Sequence, residues 1–120
     1  MESRELAIRL ARALDAKKAL NVHILAVEDL TTVTEYFVIA TGTSTTHVGA
    51  LADEAEFQLG RQGVNVLRTE GHDGKRWVLL DYGCIAVHVF NAEAREFYGL
   101  ERLWRDGTPV DLTGVVDAKE

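Results

Sequence analysis

Trp77-Val78-Leu79-Leu80-Asp81-Tyr82-Gly83-Cys84-Ile85-Ala86-Val87-His88-Val89-Phe90 reads as two apolar strands joined by a two-residue turn. Gly83-Cys84 has the length of a tight hairpin loop. With those residues as the loop, Tyr82 faces Ile85, Leu80 faces Val87 and Val78 faces Val89. Side chains alternate along a strand, so this set shares one face. That face is apolar apart from one phenol and is predicted to pack on the core. The opposite face pairs Asp81 with Ala86, Leu79 with His88 and Trp77 with Phe90. A merely solvated sheet face would not hold Trp77, Leu79 and Phe90 together. Three readings of this second face stand side by side. A helix of the same chain covers it. It is a protein-binding surface, with aromatic anchors beside polar handles. Or it is a self-association surface at the edge of a hairpin, making a homodimer.

Outward from the hairpin, the pattern alternates between strand and helix. Ser3 to Ala19 carries Leu6, Leu10, Ala13 and Leu14 at helical spacing, with Ser3 as N-cap and Lys17 and Lys18 at the end that suits cations. Val22 to Val27 is β-branched and reads as a strand, followed by a polar connection from Asp29 to Glu35. Tyr36 to Thr41 is a near-continuous apolar run, the mark of a strand buried on both faces. Gly42-Thr43-Ser44-Thr45 turns the chain into a helix over Thr46 to Gln62, with Val48, Leu51, Ala52, Ala55 and Leu59 on one stripe and Gly63 past its end. Val64 to Thr69 is predicted as a short strand, and Glu70 to Arg76 as a loop. After the hairpin, Asn91 caps a short helix from Ala92 that breaks near Gly99; Leu100 to Trp104 adds a turn or two. The order α-β-β-α-β-β-β-α implies an α/β fold with a mixed five-stranded sheet flanked by helices. Residues 1–106 form a single α/β domain on this reading, and 107–120, which hold the chain's only proline and little periodicity, form a C-terminal tail. No internal repeat or low-complexity segment interrupts the pattern.

Composition narrows the function. The 120 residues are 47% hydrophobic and 27% charged, too apolar for a disordered chain and long enough for one real core. Thirteen Lys and Arg against nineteen Asp and Glu leave a net charge of −6, a poor basis for gripping nucleic-acid phosphates, DNA included, and a better one for a basic protein partner. A single cysteine, Cys84, excludes an internal disulfide and a cysteine-based zinc site. No apolar run approaches the ~20 residues of a membrane span, and the charged N-terminus does not read as a signal peptide, so the expected location is the cytoplasm.

The chemistry-bearing candidates are few. Thr41-Gly42-Thr43-Ser44 follows a buried strand and opens a helix, where backbone N–H groups can hold an anion. It lacks the glycine and lysine pattern of a P-loop or a dinucleotide fold, so a capped turn is the plainer reading. Strand, Gly-x-Ser and helix are also similar to the nucleotidyltransferase fold, whose chemistry uses carboxylates on the next strand to hold metal ions. Here that strand, Val64-Asn65-Val66-Leu67-Arg68-Thr69, has none, and Asp81 stands alone on a later one. Cys84 and His88 are about 13 Å apart along an extended strand, beyond reach of each other as nucleophile and base. His23, His47, His72 and His88 show no metal-ligand spacing. Glu93, Arg95, Glu96, Glu101 and Arg102 read as a solvated helix face with weak ion pairs. Phe97, Tyr98, Leu100, Leu103 and Trp104 are too many large apolar groups for so short an element to leave in water.

Tyr36-Phe37-Val38-Ile39-Ala40-Thr41-Gly42-Thr43-Ser44, Trp77-Val78-Leu79-Leu80-Asp81-Tyr82-Gly83, Val87-His88-Val89-Phe90 and Ala94-Arg95-Glu96-Phe97-Tyr98-Gly99-Leu100-Glu101-Arg102-Leu103-Trp104, in this order and spacing, resemble the ribosomal silencing factor family, also called Iojap-related proteins. The resemblance runs from the first helix to Trp104. It implies a nucleotidyltransferase-like fold without the catalytic carboxylates, and a non-enzymatic role with no cofactor and no metal. It implies binding to the large ribosomal subunit through its ribosomal protein fourteen, at the intersubunit face. The small subunit is then hindered from joining, and translation falls when nutrients are short. Organelle relatives act in large-subunit assembly or organelle translation. Carried over residue by residue, partner binding is expected of Trp77, Leu79, Asp81, His88 and Phe90, with Tyr98, Leu100 and Trp104 beside them. One position departs from the family, which usually has an acidic residue where this chain has Cys84. A nucleotide-binding enzyme built on the Gly42-Thr43-Ser44 turn and a homodimeric adaptor remain the competing expectations.

Overall fold

The structure is a computed structural model and describes residues 2–115. Its elements are α1 (Ser3–Ala16), β1 (Leu20–Ala26), β2 (Tyr36–Gly42), α2 (Thr45–Arg61), β3 (Arg68–Glu70), β4 (Trp77–Asp81), β5 (Ile85–Asn91), α3 (Ala92–Tyr98), α4 (Leu100–Leu103) and β6 (Thr108–Pro109). The strands form one mixed sheet in the order β3-β4-β5-β2-β1-β6. Only β2 and β5 pair in parallel; every other neighbouring pair is antiparallel.

The hairpin has the register that a Gly83-Cys84 loop dictates. Trp77 pairs with Phe90, Val78 with Val89, Leu79 with His88, Leu80 with Val87 and Asp81 with Ala86. The Tyr82 N–H donates to the Ile85 carbonyl at 2.9 Å and closes the turn. Every residue of β2 is buried, as its continuous apolar run requires of a central strand.

The two faces of the sheet bury different cores. On one face α1 and α2 pack Leu6, Leu10, Leu14, Val48, Leu51 and Leu59 against Val38, Val78, Leu80, Ile85, Val87 and Val89. On the other, the small α3–α4 corner packs Ala94 and Leu100 against Leu25, Phe37, Ile39, Ala86 and Phe90. The Ser44 hydroxyl accepts from the His47 N–H at 3.1 Å and caps α2, as the sequence indicates. The Asn91 side chain does the same for the Ala94 N–H at 2.8 Å.

Three expectations need correction. The sheet has six strands, not five: Thr108–Pro109 lie in the segment read as a tail and pair with β1, and Val110 behind them is buried. Two residues with a proline carry no strand period, so nothing local announces them. The strand expected over Val64 to Thr69 begins only at Arg68; Val64 and Val66 instead pack from a loop against the α1–α2 core. And α1 stops at Ala16, with Lys18 at φ 69° reversing the chain, while Ser3 lies inside the helix and donates to Glu35 Oε1 at 2.6 Å instead of capping.

Candidate functional site

The α3–α4 side of the sheet holds a connected series of rings. Trp104 meets Phe37 edge-on at 5.0 Å between centroids, and Phe37 meets His88 edge-on at 5.1 Å. Trp77 stacks on Phe90 at 5.0 Å and lies 4.6 Å from Tyr98, which Phe97 meets edge-on at 5.1 Å. The series passes from sealed to open. Phe90 has no exposed surface and His88 keeps 5%, whereas Tyr98 is 47% and Phe97 77% exposed; Leu103 on α4 is exposed as well, at 76%. Trp77, Leu79 and Trp104 are half-buried between these limits. Large apolar groups exposed beside a buried aromatic cluster make this side of the sheet the candidate docking surface.

Trp77 is held from behind by a specific bond. Its indole N–H donates to His88 Nδ1 at 3.0 Å. Indole nitrogen is a donor only, so Nδ1 carries no proton and the imidazole is neutral with its hydrogen on Nε2. Burial lowers the His88 pKa to about 4, consistent with a neutral ring. The loop before Trp77 contributes as well. Gly71, at φ 80°, sits so close that a Cβ there would run into the Trp77 carbonyl. The Lys75 N–H closes the loop on the Gly71 carbonyl at 3.0 Å.

The expected site residues divide by depth. Trp77, Leu79, Tyr98 and Trp104 reach the surface together on one side. His88, Phe90 and Leu100 lie beneath them, so they shape the face without presenting it. Of the three readings of the second hairpin face, cover by the same chain accounts for its deep part. Asp81 serves the turn: its Oδ1 accepts from the Gly83 N–H at 2.9 Å, and its Oδ2 lies 3.8 Å from Arg68 Nη2. Cys84 is a half-buried residue of that turn, its carbonyl accepting from the Glu35 and Tyr36 N–H groups; burial and the Glu35 charge push its thiol pKa up.

Phe97 and Leu103 are the exposed members that the site expectation left out. Sequence marked both only as large apolar groups in an element too short to leave so many in water, yet Phe97 is 77% and Leu103 76% exposed. The left-handed Gly99, at φ 58°, ends α3, and Ala94 and Leu100 are the buried residues of the two short helices.

In the Gly42-Thr43-Ser44 turn the Thr43 N–H and the Ser44 hydroxyl are both engaged by His47. The Thr43 N–H donates to His47 Nδ1 at 2.9 Å, and His47 Nε2 donates to the Lys17 carbonyl at 2.8 Å. Among the described residues no group of three or more His, Cys, Asp and Glu side chains gathers as a metal ion would need, and no helix is long and apolar enough to cross a membrane.

Comparison with known proteins agrees with this architecture. The family model described as "Ribosomal silencing factor during starvation" matches residues 1–120. A ribosomal silencing factor of Halalkalibacterium halodurans is 38% identical over 116 residues, covering 97% of this chain and 99% of that protein. A Mus musculus protein named for mitochondrial assembly of the ribosomal large subunit is 36% identical over 74 residues, 59% of this chain and 32% of its own length. A crystal structure of a Chromobacterium violaceum protein superposes with a TM-score of 0.84 at 36% identity, covering 88% of each chain. The chain belongs to the ribosomal silencing factor family.

Proposed function

We propose that this chain represses translation by occupancy. It docks through the Trp77, Leu79, Tyr98 and Trp104 face onto ribosomal protein fourteen of the large subunit and fills space that the small subunit needs. The observation that carries the reading is the graded aromatic series: Trp77 is fixed by His88 and Phe90 behind it, while Tyr98 and Phe97 stay open to solvent. A net charge of −6 favours a basic partner. Steric repression needs no bond to be made or broken. The turn that a nucleotide-binding enzyme would use has its Thr43 N–H engaged by His47.

Sedimentation of separated subunits tests this. The wild-type chain is expected to migrate with large subunits and to lower the yield of joined ribosomes. Trp77→Ala with Tyr98→Ala removes two anchors and is expected to weaken binding by about 30-fold or more. Wild-type binding by that folded double variant would overturn the docking face. Migration with large subunits and no loss of joined ribosomes would favour a role in subunit assembly, the activity named for the mouse relative.

A further inference from the structure

We propose that Arg95 is the positioning residue of the docking face: its guanidinium ties α3 to the ends of β1 and β2 and to α4, and so holds Tyr98 against Trp77. This rests on the docking face proposed above. Tyr98 sits on a seven-residue helix followed by a four-residue one. Helices that short do not hold themselves together in water, so their place depends on what pins them.

Arg95 reaches three other elements at once. Its Nη1 donates to the Asn21 carbonyl at 2.6 Å and to Thr41 Oγ1 at 2.8 Å, and its Nε donates to Glu101 Oε1 at 2.9 Å. Asn21 belongs to β1, Thr41 to β2 and Glu101 to α4. The acceptor on β1 is made by a bulge. Leu20 pairs with Thr41 and His23 with Ile39, so β1 carries one extra residue there, and Asn21 takes φ 50°. The Arg95 backbone also takes part, since its carbonyl accepts the Gly99 N–H at 3.1 Å where α3 ends.

The pair is shielded more than a surface ion pair is. The Arg95 side chain keeps 12% exposure and that of Glu101 39%. The Arg95 hydrogen bond holds the Glu101 carboxyl below its ordinary pKa. A planar fork that donates in three directions is what arginine supplies and lysine does not. Arg95 therefore departs from the solvated helix face that its sequence neighbourhood suggests.

Hydrogen exchange on the full chain, read with subunit sedimentation, tests the assignment. In Arg95→Ala the amides of α3 and α4 are expected to exchange at least ten-fold faster, while β2 and β5 keep their protection and large-subunit binding weakens at least ten-fold. Arg95→Lys keeps the charge without the fork and is expected to recover only part of the binding. Adding Arg95→Ala to Tyr98→Ala is expected to cost little more than Tyr98→Ala alone, because Arg95 acts by placing Tyr98. Wild-type binding by Arg95→Ala beside lost binding by Trp77→Ala would overturn the positioning role and leave the docking face standing. Protection lost across β2 and β5 as well would overturn it in favour of a general stabilising role. If Trp77→Ala binds as the wild type, the docking face falls; exchange confined to α3 and α4 then still assigns Arg95 to the corner, and unchanged exchange removes it.

Discussion

His88 shows how one residue can serve a surface it does not reach. Its Nδ1 orients the Trp77 indole, and its Nε2 is buried with no hydrogen-bond partner among the described residues. A neutral ring in this site accepts from the indole; a protonated one cannot. The linkage to pH follows in sign. The folded pKa, about 4, lies below the ordinary 6.5, so the unfolded chain takes up a proton in that window that the folded chain refuses. Stability is thus unaffected by this group above pH 6.5 and falls by about 3 kcal/mol as pH drops toward 4. The Glu101 carboxyl, held low first by its Arg95 hydrogen bond, adds to the loss below its own ordinary value. Urea unfolding at pH 7, 5.5 and 4.5 measures this. His88→Phe is expected to flatten the part above pH 5, whatever its effect on stability at pH 7. Sequence made His88 visible as a polar group opposite Leu79, but not its depth, because one of the rings packed on it, Phe37, comes from a strand far away in the chain.

At the level of elements, the hairpin was the most legible part, and for a simple reason. A two-residue loop leaves one register open, and only that register sorts Val78, Leu80, Val87 and Val89 inward together. The α3–α4 corner was least legible, since its course depends on one backbone angle at Gly99. An alanine there must adopt φ 58°, which costs an L-residue roughly 1–2 kcal/mol. Its Cβ would also run into the Arg102 guanidinium, a flexible group that can move aside. Gly99→Ala is expected to lower unfolding free energy by about that amount in denaturant titration. An unchanged midpoint would show that the corner takes another path. The strand over-read at Val64 to Thr69 has the opposite lesson: alternating Val64 and Val66 look like a strand, yet they fill the core equally well from a loop.

For the whole molecule, the sheet is completed by a segment with no strand signature. Thr108–Pro109 pair antiparallel with β1 at the edge of the sheet, the Val110 N–H donates to the Ile24 carbonyl at 2.9 Å, and Gly107 is buried beside Trp104 and Val27. A chain ended after Asp106 loses this edge and the burial of Val110. The valine alone accounts for about 1.5–3 kcal/mol. Thermal unfolding of that truncated chain is expected to show a midpoint several degrees lower. An equal midpoint would make the edge dispensable.

The chain's two tryptophans, Trp77 and Trp104, both lie on the α3–α4 side of the sheet, and the α1–α2 side has none. Intrinsic tryptophan emission is therefore a one-sided optical probe. It registers a partner arriving on the aromatic face, or that corner loosening, without any label. It stays blind to repacking beneath the two long helices.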